Sequence, residues 1–269
     1  MTDPTISVAQ FAAGTDVEEN LAACQELIAR AAATSHLVVL PEYSMYSDFG
    51  KTQPDQNHSE PLDGPFVTAL RDSAREHGIA VVVGINESDP DDDRVSNTLV
   101  AMSKTGELTG VYRKIHLYDA FGFRESDTVI PANVESPLVF DVEGVRIGAA
   151  TCYDLRFPEM SRWLVDQGAD VIVLPAAWMA GPLKEQQWDT LVRARAIENT
   201  VYVAACGQTG PRCSGQSMIV DPMGVTVAGA GERAMTLATA VIEPQRIAYV
   251  RRINPSLENR RFTVVPRTA

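Results

Sequence analysis

The sequence is poor in cysteine and histidine. Its 269 residues include four cysteines, which form no Cys-x-x-Cys pair and no zinc-type spacing, and four histidines, none of which pairs with another at ligand spacing. So few cysteines in a chain of this length exclude a disulfide framework, and a reducing cytoplasm is the simplest compartment to expect. No metal site is predicted.

Excess positive charge and long apolar runs are also missing. The net charge is −12, and no basic run or nucleic-acid-reading motif is present, which argues against a nucleic-acid partner. No apolar run approaches the roughly 18 residues that a membrane helix needs. The first ten residues lack the basic and apolar regions of a signal peptide. The composition, 45% hydrophobic and 22% charged, is that of an ordinary soluble globular protein.

Two motifs of common enzyme classes fail to appear. The Gly-x-Ser-x-Gly pattern of a nucleophile-elbow serine is absent from the chain. The stretch 229–234 imitates a dinucleotide fingerprint, but it is expected to lie in a loop before a strand, so we interpret it as a turn. The sequence therefore indicates neither a nucleophilic serine nor a dinucleotide site.

Short apolar runs alternate with helical segments along the chain. Strands are predicted at Thr5–Ala12, His36–Leu40, Ile79–Asn86, Ser96–Ser103, Leu108–Arg113, Leu138–Phe140, Val145–Thr151, Asp170–Leu174, Val201–Cys206, Gln216–Val220 and Met235–Ile242. Helices are predicted at Val17–Ala33, Pro65–His77, Met160–Gln167 and Lys184–Thr200. The segments 43–63 and 115–136 have neither pattern and are expected to be irregular.

This order predicts an α/β fold. Helices that alternate with strands must cover the faces of the sheet to bury them. Hairpins around 104–107 and 141–144 interrupt the alternation, so the sheet is expected to be mixed. No linker or repeat divides the chain, and residues 1–269 are therefore expected to form a single domain.

The chain is organised around the stretch Val145–Glu159. Its first seven residues are largely apolar and predict a short buried strand. Pro158 suits the first turn of a helix. Cys152 is therefore expected to lie between the end of the strand and the start of this helix. A thiol there faces backbone N–H groups and the positive end of a helix, both of which favour the thiolate. The alternative is a buried structural cysteine. Against it, the charged Asp154, Arg156 and Glu159 crowd this strand end.

Three reactive side chains each follow an apolar run. Glu42 comes after 36–40, Lys114 after the run that ends at Tyr112, and Cys152 after 145–151. If these strands are parallel neighbours, their carboxyl ends meet where ligand sites of α/β proteins form. Glu42 would then take the thiol proton, and Cys152 would attack a carbonyl. Lys114 and the N–H of Tyr153 would hold the oxyanion.

Each member of this trio also has an ordinary interpretation. A glutamate after proline usually lies at the surface, and a lysine beside an arginine is usually solvated. Spacing alone therefore makes the trio a hypothesis and not an assignment.

The same three stretches resemble the glutamate, lysine and cysteine signatures of the nitrilase superfamily of carbon–nitrogen hydrolases, in the same order. CYDLRFPE, at 152–159, is similar to the nucleophile motif of the Nit branch, and RKIHLYD, at 113–119, to its lysine motif. Phe123–Ser126 resembles the family's F-x-E-S, and 193–199 and 217–222 also match. The resemblance extends over nearly the whole chain and is greatest to ω-amidases and deaminated glutathione amidases.

This resemblance implies an αββα sandwich and thiol chemistry without a metal or cofactor. It identifies Glu42, Lys114 and Cys152 as catalytic, and Glu125 as a second, supporting glutamate. It also implies a homodimer or larger homo-oligomer, in which the helix from Lys184 and the tail, about 243–269, pack across subunits.

Substrate contacts are expected from three residues. Tyr43 is assigned to the substrate pocket beside Glu42. Trp178 follows the strand 170–174 in a segment that is only partly family-like, and it would either stack on the substrate or belong to the core. This segment is where substrate identity is expected to be encoded.

Arg156 is the third of these residues. As resemblance to carbamoyl-amino-acid hydrolases implies, it would grip a substrate carboxylate with two parallel hydrogen bonds. The alternative is structural: Arg156 would pair with Asp154 or Glu159 and brace the turn.

The resemblance favours a cysteine-dependent amidase that hydrolyses a small linear amide, with or without a carboxylate, to an acid and ammonia through a thioester. A carbamoyl-amino-acid hydrolase with the same residues is an alternative. A nitrilase is disfavoured because the cysteine stretch is unlike the CWE motif. A non-enzymatic binding protein is disfavoured because Glu42, Lys114 and Cys152 are all present.

Overall fold

Two six-stranded β-sheets pack face to face, with helices on both outer surfaces. The computed structural model describes residues 3–48 and 58–267. The first sheet contains, in spatial order, β14 (Thr236–Val241), β1 (Thr5–Gln10), β2 (Leu37–Val39), β3 (Ala80–Ser88), β4 (Val95–Met102) and β5 (Leu108–Arg113). The second contains β13 (Thr226–Gly231), β12 (Ser217–Val220), β11 (Tyr202–Gly207), β10 (Val171–Ala176), β9 (Val145–Ala149) and β8 (Leu138–Val142). A small ribbon pairs β6 (Asp119–Ala120) with β7 (Phe123–Arg124).

The helices complete a four-layer arrangement. On the first sheet lie α1 (Val17–Ala32) and α2 (Pro65–His77), and on the second lie α3 (Pro158–Asp166) and α4 (Lys184–Asn199). Both sheets combine parallel and antiparallel pairs. The predicted αββα sandwich with mixed sheets is therefore confirmed. Within the described residues, no helix has the length and apolar character needed to cross a bilayer.

Alternate residues of the central strands enter two separate hydrophobic clusters. In β2, Leu37 and Val39 join the cluster between the sheets, while Val38 packs with α1 and α2. Side chains of a strand point alternately to opposite faces. A strand that is buried on both faces is therefore a continuous apolar run in the sequence, as 36–40 is.

Local signals in the sequence place the helix ends. Asp16 caps α1 by accepting the backbone N–H groups of Glu18 and Glu19. Prolines open α2 and α3, where a missing N–H costs nothing. Gly78 ends α2 at φ +63°, a conformation that glycine adopts without strain.

Several elements differ from the sequence-based predictions. The stretch that was expected to be a turn, 229–234, overlaps β13, which pairs antiparallel with β12. The segment 115–136 contains the β6–β7 ribbon and a 3-10 segment, Glu125–Asp127. The tail contains α5 (Pro244–Ile253), whose Ile247 joins the chain's own core. Residues 49–57, part of the predicted irregular segment 43–63, lie outside the described residues.

Candidate active site

Glu42, Lys114 and Cys152 line one cavity, but not as the ends of neighbouring parallel strands. Glu42 follows β2 and Lys114 follows β5 in the first sheet, where β3 and β4 separate these two strands. Cys152 follows β9 in the second sheet. The arrangement expected from the sequence is therefore wrong, because the three side chains meet across the two sheets of the sandwich.

The backbone around Glu42 lies directly on β3. Leu40 N–H donates to the Val82 carbonyl at 2.8 Å, and Ser44 N–H donates to the Gly84 carbonyl at 2.8 Å. A β-carbon on Gly84 would lie 2.5 Å from Cα of Glu42. Only glycine allows this approach, so β3 fixes the position of the Glu42 carboxylate.

The ammonium group of Lys114 lies between two carboxylates. Its Nζ is 2.9 Å from Oε1 of Glu42 and 3.0 and 2.9 Å from the two oxygens of Glu125. Lys114, Glu42 and Glu125 are only 2%, 1% and 4% exposed. The interpretations of Glu42 as a surface residue and of Lys114 as solvated are therefore wrong.

Glu125 is held by further donors besides Lys114. The hydroxyl of Tyr43 donates to its Oε1 at 2.7 Å, and the N–H of Tyr118 donates to its Oε2 at 2.6 Å. Burial raises the pKa of Tyr43 well above its ordinary value, and the charges of Glu125 and Glu42 add to this, so the phenol stays a donor. Tyr43, which was assigned to the substrate, thus lines the cavity while orienting Glu125.

Asn97 is a site residue that the sequence analysis did not identify. From β4, its Nδ2 donates to Oε1 of Glu42 at 2.7 Å and to Oε1 of Glu125 at 3.1 Å. The N–H of Ala177 donates to the other oxygen of Glu42 at 2.6 Å. These donors fix both carboxylates before any substrate binds. The available signal was a run of three polar residues, Ser96–Thr98, at the start of a predicted strand, since buried polar groups need partners.

Lys114 and Glu125 each stabilise the ionised form of the other. Burial alone would lower the pKa of Lys114, but Glu125 and then Glu42 raise it well above its ordinary value. Burial likewise raises the pKa of Glu125, but Lys114 and the N–H of Tyr118 bring it below its ordinary value. Both groups are therefore ionised at neutral pH.

The Cys152 thiol is protonated at neutral pH. Burial raises its pKa well above the ordinary value, the negative charge of Glu42 raises it further, and Lys114 acts in the opposite direction. The expectation that this position favours the thiolate is therefore wrong, because burial and the charge of Glu42 prevail. Cys152 also opens a 3-10 segment, Cys152–Arg156, and the helix α3 begins only after it. A base is therefore needed to ionise this thiol.

The backbone at the thiol is strained and tightly anchored. Cys152 has φ +44°, a region that non-glycine residues rarely occupy and that is found at functional sites. Thr151 and Asp154 form a reciprocal capping box around it. Thr151 Oγ1 also donates to the Pro175 carbonyl of β10 at 2.9 Å.

Asp154 connects the cysteine stretch with the lysine stretch. The hydroxyl of Tyr112 donates to its Oδ2 at 2.7 Å, and Nδ1 of His116 lies 2.7 Å from its Oδ1. The His116 ring also stacks on Phe157, with ring centres 3.8 Å apart. These bonds hold the segments that carry Cys152 and Lys114 in a fixed relation.

A cavity of about 760 Å³ opens above these groups. Its walls combine the charged site residues with aromatic and apolar side chains. It is lined by Glu42, Tyr43, Tyr46, Ser47, Asp48, Lys114, Tyr118, Phe121, Phe123, Glu125, Cys152, Tyr153, Ala177, Trp178, Met179, Ala180, Gly181, Pro182, Lys184 and Arg212. Among the described residues, no cluster of three or more His, Cys, Asp or Glu side chains could hold a metal ion.

Trp178 belongs both to the cavity wall and to the core. It is 3% exposed and packs beside Trp188, with ring centres 5.4 Å apart. Its Nε1 donates to the Lys184 carbonyl at 2.9 Å, so its ring is fixed in the wall. The two interpretations given for this residue are therefore compatible.

Arg156 pairs with neither of the carboxylates that were expected. Its Nη2 donates to Oε1 of Gln187 at 2.7 Å, and its guanidinium lies 4.8 Å from the centre of the Trp178 ring. Asp154 is occupied by the bonds described above. The structural alternative, in which Arg156 pairs with Asp154 or Glu159, is therefore not what the described residues show.

Comparison with known proteins gives a family match over most of the chain. The family described as carbon-nitrogen hydrolase matches residues 5–252. A curated relative, the deaminated glutathione amidase of Escherichia coli O157:H7, is 41% identical over 259 residues, covering 96% of this chain and 97% of the relative.

Solved structures with the same fold are also similar in sequence. Nit3 of Saccharomyces cerevisiae, described as a member of branch 10 of the nitrilase superfamily, has a TM-score of 0.84 and 29% identity, covering 97% of each chain. The NitFhit protein of C. elegans has a TM-score of 0.85 and 31% identity, covering 97% of this chain and 66% of NitFhit. This chain thus spans slightly less than two thirds of NitFhit.

Proposed function

The chain belongs to the carbon–nitrogen hydrolase family, and we propose that it is an amidase that hydrolyses a small linear amide through a thioester on Cys152. The family match confirms the predicted resemblance to the nitrilase superfamily. The observation that carries the proposal is the Lys114 ammonium held between Glu42 and Glu125, in one cavity with the Cys152 thiol. Fixed charges in a buried site stabilise developing charge more strongly than the same charges in water.

Acylation begins with a proton transfer, because the thiol is protonated in the resting protein. Glu42 takes the proton from Cys152 while Sγ forms a bond to the amide carbonyl carbon. The carbonyl oxygen becomes an oxyanion, which Lys114 and the N–H of Tyr153 stabilise. Tyr153 is the second residue of its 3-10 segment, so its N–H has no acceptor within that segment.

The tetrahedral intermediate then loses ammonia. The C–N bond breaks, Glu42 returns its proton to the departing nitrogen, and the acyl group stays on Cys152 as a thioester. Water next attacks the thioester carbonyl while Glu42 accepts a proton from it. The C–S bond breaks, the proton passes from Glu42 to the sulfur, and the carboxylic acid leaves. Glu125 stays ionised throughout and holds Lys114 in place.

The size of the cavity supports a small-molecule substrate. Its 760 Å³ would hold a small molecule in contact with both the catalytic groups and the aromatic wall. The relative in Escherichia coli O157:H7 is named deaminated glutathione amidase, which points to an amide as the substrate. We therefore propose ω-amides of short acids as the substrate class.

Ammonia release from a panel of substrates tests this proposal. We expect the purified protein to release ammonia from ω-amides of short dicarboxylic acids faster than from N-carbamoyl amino acids, and not from nitriles. A Cys152→Ala preparation, purified in parallel, controls for contaminating amidases. Faster turnover of carbamoyl compounds would instead favour a carbamoyl-amino-acid hydrolase, and no release from any compound would contradict the proposal.

We also propose a homodimer in which α4 and the tail contribute to the interface, mainly through apolar side chains. Arg195 of α4 is buried and donates to the Leu155 carbonyl at 2.7 Å, and Arg251 and Arg260 of the tail pair with aspartates of their own chain. The support comes from exposed apolar side chains on α4, the β12–β13 turn, α5 and the tail. They are Ile197, Met223, Val225, Tyr249, Ile253 and Phe262. Large exposed apolar patches mark interfaces.

Sedimentation measures the expected dimer directly. At micromolar concentration we expect a species of twice the chain mass of 29.2 kDa. Ile197→Asp, which places a charge among these apolar side chains and beside the turn at Gly224, should shift the population towards monomer. Lys104→Glu, at an exposed turn distant from the patch in sequence, serves as the charge-changing control. A wild-type monomer at this concentration would contradict the proposal.

We further propose that residues 1–269 act as one catalytic domain in the cytoplasm. The cavity is lined by residues from position 42 to position 212, so most of the chain contributes to it. Each of the four cysteines is a free thiol, which suits a reducing compartment.

A further inference from the structure

Lys184 is a buried cation in the cavity wall that the proposed mechanism does not use. It is the first residue of α4 and is 8% exposed. Its Nζ lies 4.5 Å from the centre of the Phe121 ring, 5.0 Å from that of Trp178 and 5.1 Å from that of Tyr118. The faces of these rings attract the ammonium group, but they leave its charge without a counter-ion.

Within residues 3–48 and 58–267, Lys184 forms no ion pair with a carboxylate, although the charge of its neighbour Glu185 acts on it from a distance. Its Nζ donates to the neutral hydroxyl of Tyr118 at 3.1 Å and forms no ion pair there. Glu42 and Glu125 line the same cavity but are bound to Lys114. Asp48 also lines the cavity, but it has an interaction of its own and no ion pair joins it to Lys184. A buried charge without a partner is costly, so this arrangement favours an anionic ligand.

Arg156 adds a second positive charge to the same aromatic wall. Its guanidinium lies 4.8 Å from the Trp178 ring centre and 5.5 Å from that of Phe121. Burial lowers the pKa of Lys184, and the charge of Arg156 lowers it further. The repulsion between these cations would be relieved by a bound anion, in a chain whose net charge is −12.

Of the two cations, only Lys184 lines the cavity. Arg156 is turned towards α4, where its Nη2 donates to Gln187 at 2.7 Å. Of these two, direct contact with a ligand therefore falls to Lys184, while Arg156 contributes charge from behind the aromatic wall. Arg212 also lines the cavity, but it is exposed, so its charge is solvated in a way that the buried ammonium of Lys184 is not.

We infer that Lys184 binds a carboxylate of the substrate, at the end of a linear ω-amide opposite to the amide that Cys152 attacks. The inference rests on the proposed amidase function for the reacting end. Cys152 and Lys184 line the same cavity, so a short aliphatic chain would connect the two ends of the substrate. The carboxylate contact that the sequence analysis gave to Arg156 thus moves to Lys184, and Arg156 becomes a positioning residue.

Binding to an inactive protein tests the inference without depending on turnover. The probes are glutaramate, which carries one carboxylate, and glutaramide, its neutral isosteric diamide. Calorimetry measures the Kd of each for Cys152→Ala and for Cys152→Ala combined with Lys184→Gln. We expect the added substitution to raise the Kd of glutaramate about 10- to 100-fold, the scale of a hydrogen bond between charged groups, and that of glutaramide far less.

Two further variants make the comparison specific. Lys184→Arg keeps the charge and should restore a large part of the glutaramate affinity. Lys104→Gln removes an equal charge from an exposed turn, where Lys104 forms a surface ion pair with Glu143, and should leave both affinities unchanged. Thermal unfolding of each variant verifies that it is folded.

The outcomes separate this inference from the proposed function. Equal effects of Lys184→Gln on the acid and the diamide, or no binding of glutaramate to Cys152→Ala, would overturn the role of Lys184. Failure of the wild-type protein to release ammonia would overturn the amidase proposal, yet it would leave the binding comparison fully interpretable.

Discussion

Replacement of Cys152 by alanine is expected to lower turnover by roughly 10⁴- to 10⁶-fold, the scale observed when a covalent nucleophile is removed. The reason is that the thioester has no other place to form. Cys213, the thiol that packs against Tyr43 near the cavity, does not line it, and burial raises its pKa to about 12. Cys152→Ser should be nearly as inactive, because a hydroxyl is far harder to ionise than a thiol.

The measurement is the initial rate of ammonia release, together with the mass of the intact protein after brief exposure to substrate. Wild-type protein should carry the mass of one acyl group, and the Cys152 variants should carry none. Cys213→Ala is the matched control, since it removes a buried thiol without removing the nucleophile and should retain most of the activity. Substantial turnover by pure Cys152→Ala would rule out the thioester mechanism.

The sequence predicts correctly that each reactive residue follows a strand, but it does not predict how the strands are arranged so that the three side chains come together. Glu42, Lys114 and Cys152 each follow an apolar run, and each run is a strand. Which sheet a strand joins, however, depends on contacts between residues far apart in the chain. A strand that is buried on both faces has no alternation to distinguish the two sheets. The face-to-face meeting of the strands could therefore not be predicted from their spacing.

The residues that orient the site were harder to predict than the residues that react. Asn97 lies in β4, and its role depends on the approach of Glu42 and Glu125 from other parts of the chain. Lys184 was predicted to begin a helix, but its aromatic surroundings come from Tyr118, Phe121 and Trp178. Such assemblies of distant residues have no local pattern in the sequence.

Expectations based on charge were the least reliable, both for where a side chain lies and for whether it is ionised. An arginine usually lies at the surface, yet Arg195 of α4 is buried and donates to the Leu155 carbonyl of its own chain. The thiolate expected at Cys152 is opposed by burial and by the charge of Glu42. In both cases the outcome depends on desolvation, which a sequence does not reveal.

Glu42→Gln is expected to reduce amide turnover by roughly 10²- to 10⁴-fold, the range of general acid–base catalysis. Glutamine keeps the shape of the side chain but can neither accept the thiol proton nor return it to the leaving nitrogen. The loss should be smaller on a p-nitrophenyl ester of the same acid, because a phenolate leaves without a proton. Glu125→Gln should instead reduce both rates in similar proportion, since Glu125 acts by holding Lys114.

The pH dependence of Cys152 alkylation gives an independent check on Glu42. The carboxylate of Glu42 is negative and disfavours the thiolate, so it raises the pKa of Cys152. In Glu42→Gln that charge is gone, and the midpoint of the alkylation profile should move to lower pH even though amide turnover is lost. Glu87→Gln is a matched control, because Glu87 is also buried but binds Arg113 and Thr98 outside the cavity. An unchanged ratio of amide to ester rates in Glu42→Gln, with an unshifted alkylation midpoint, would remove Glu42 from the role of base.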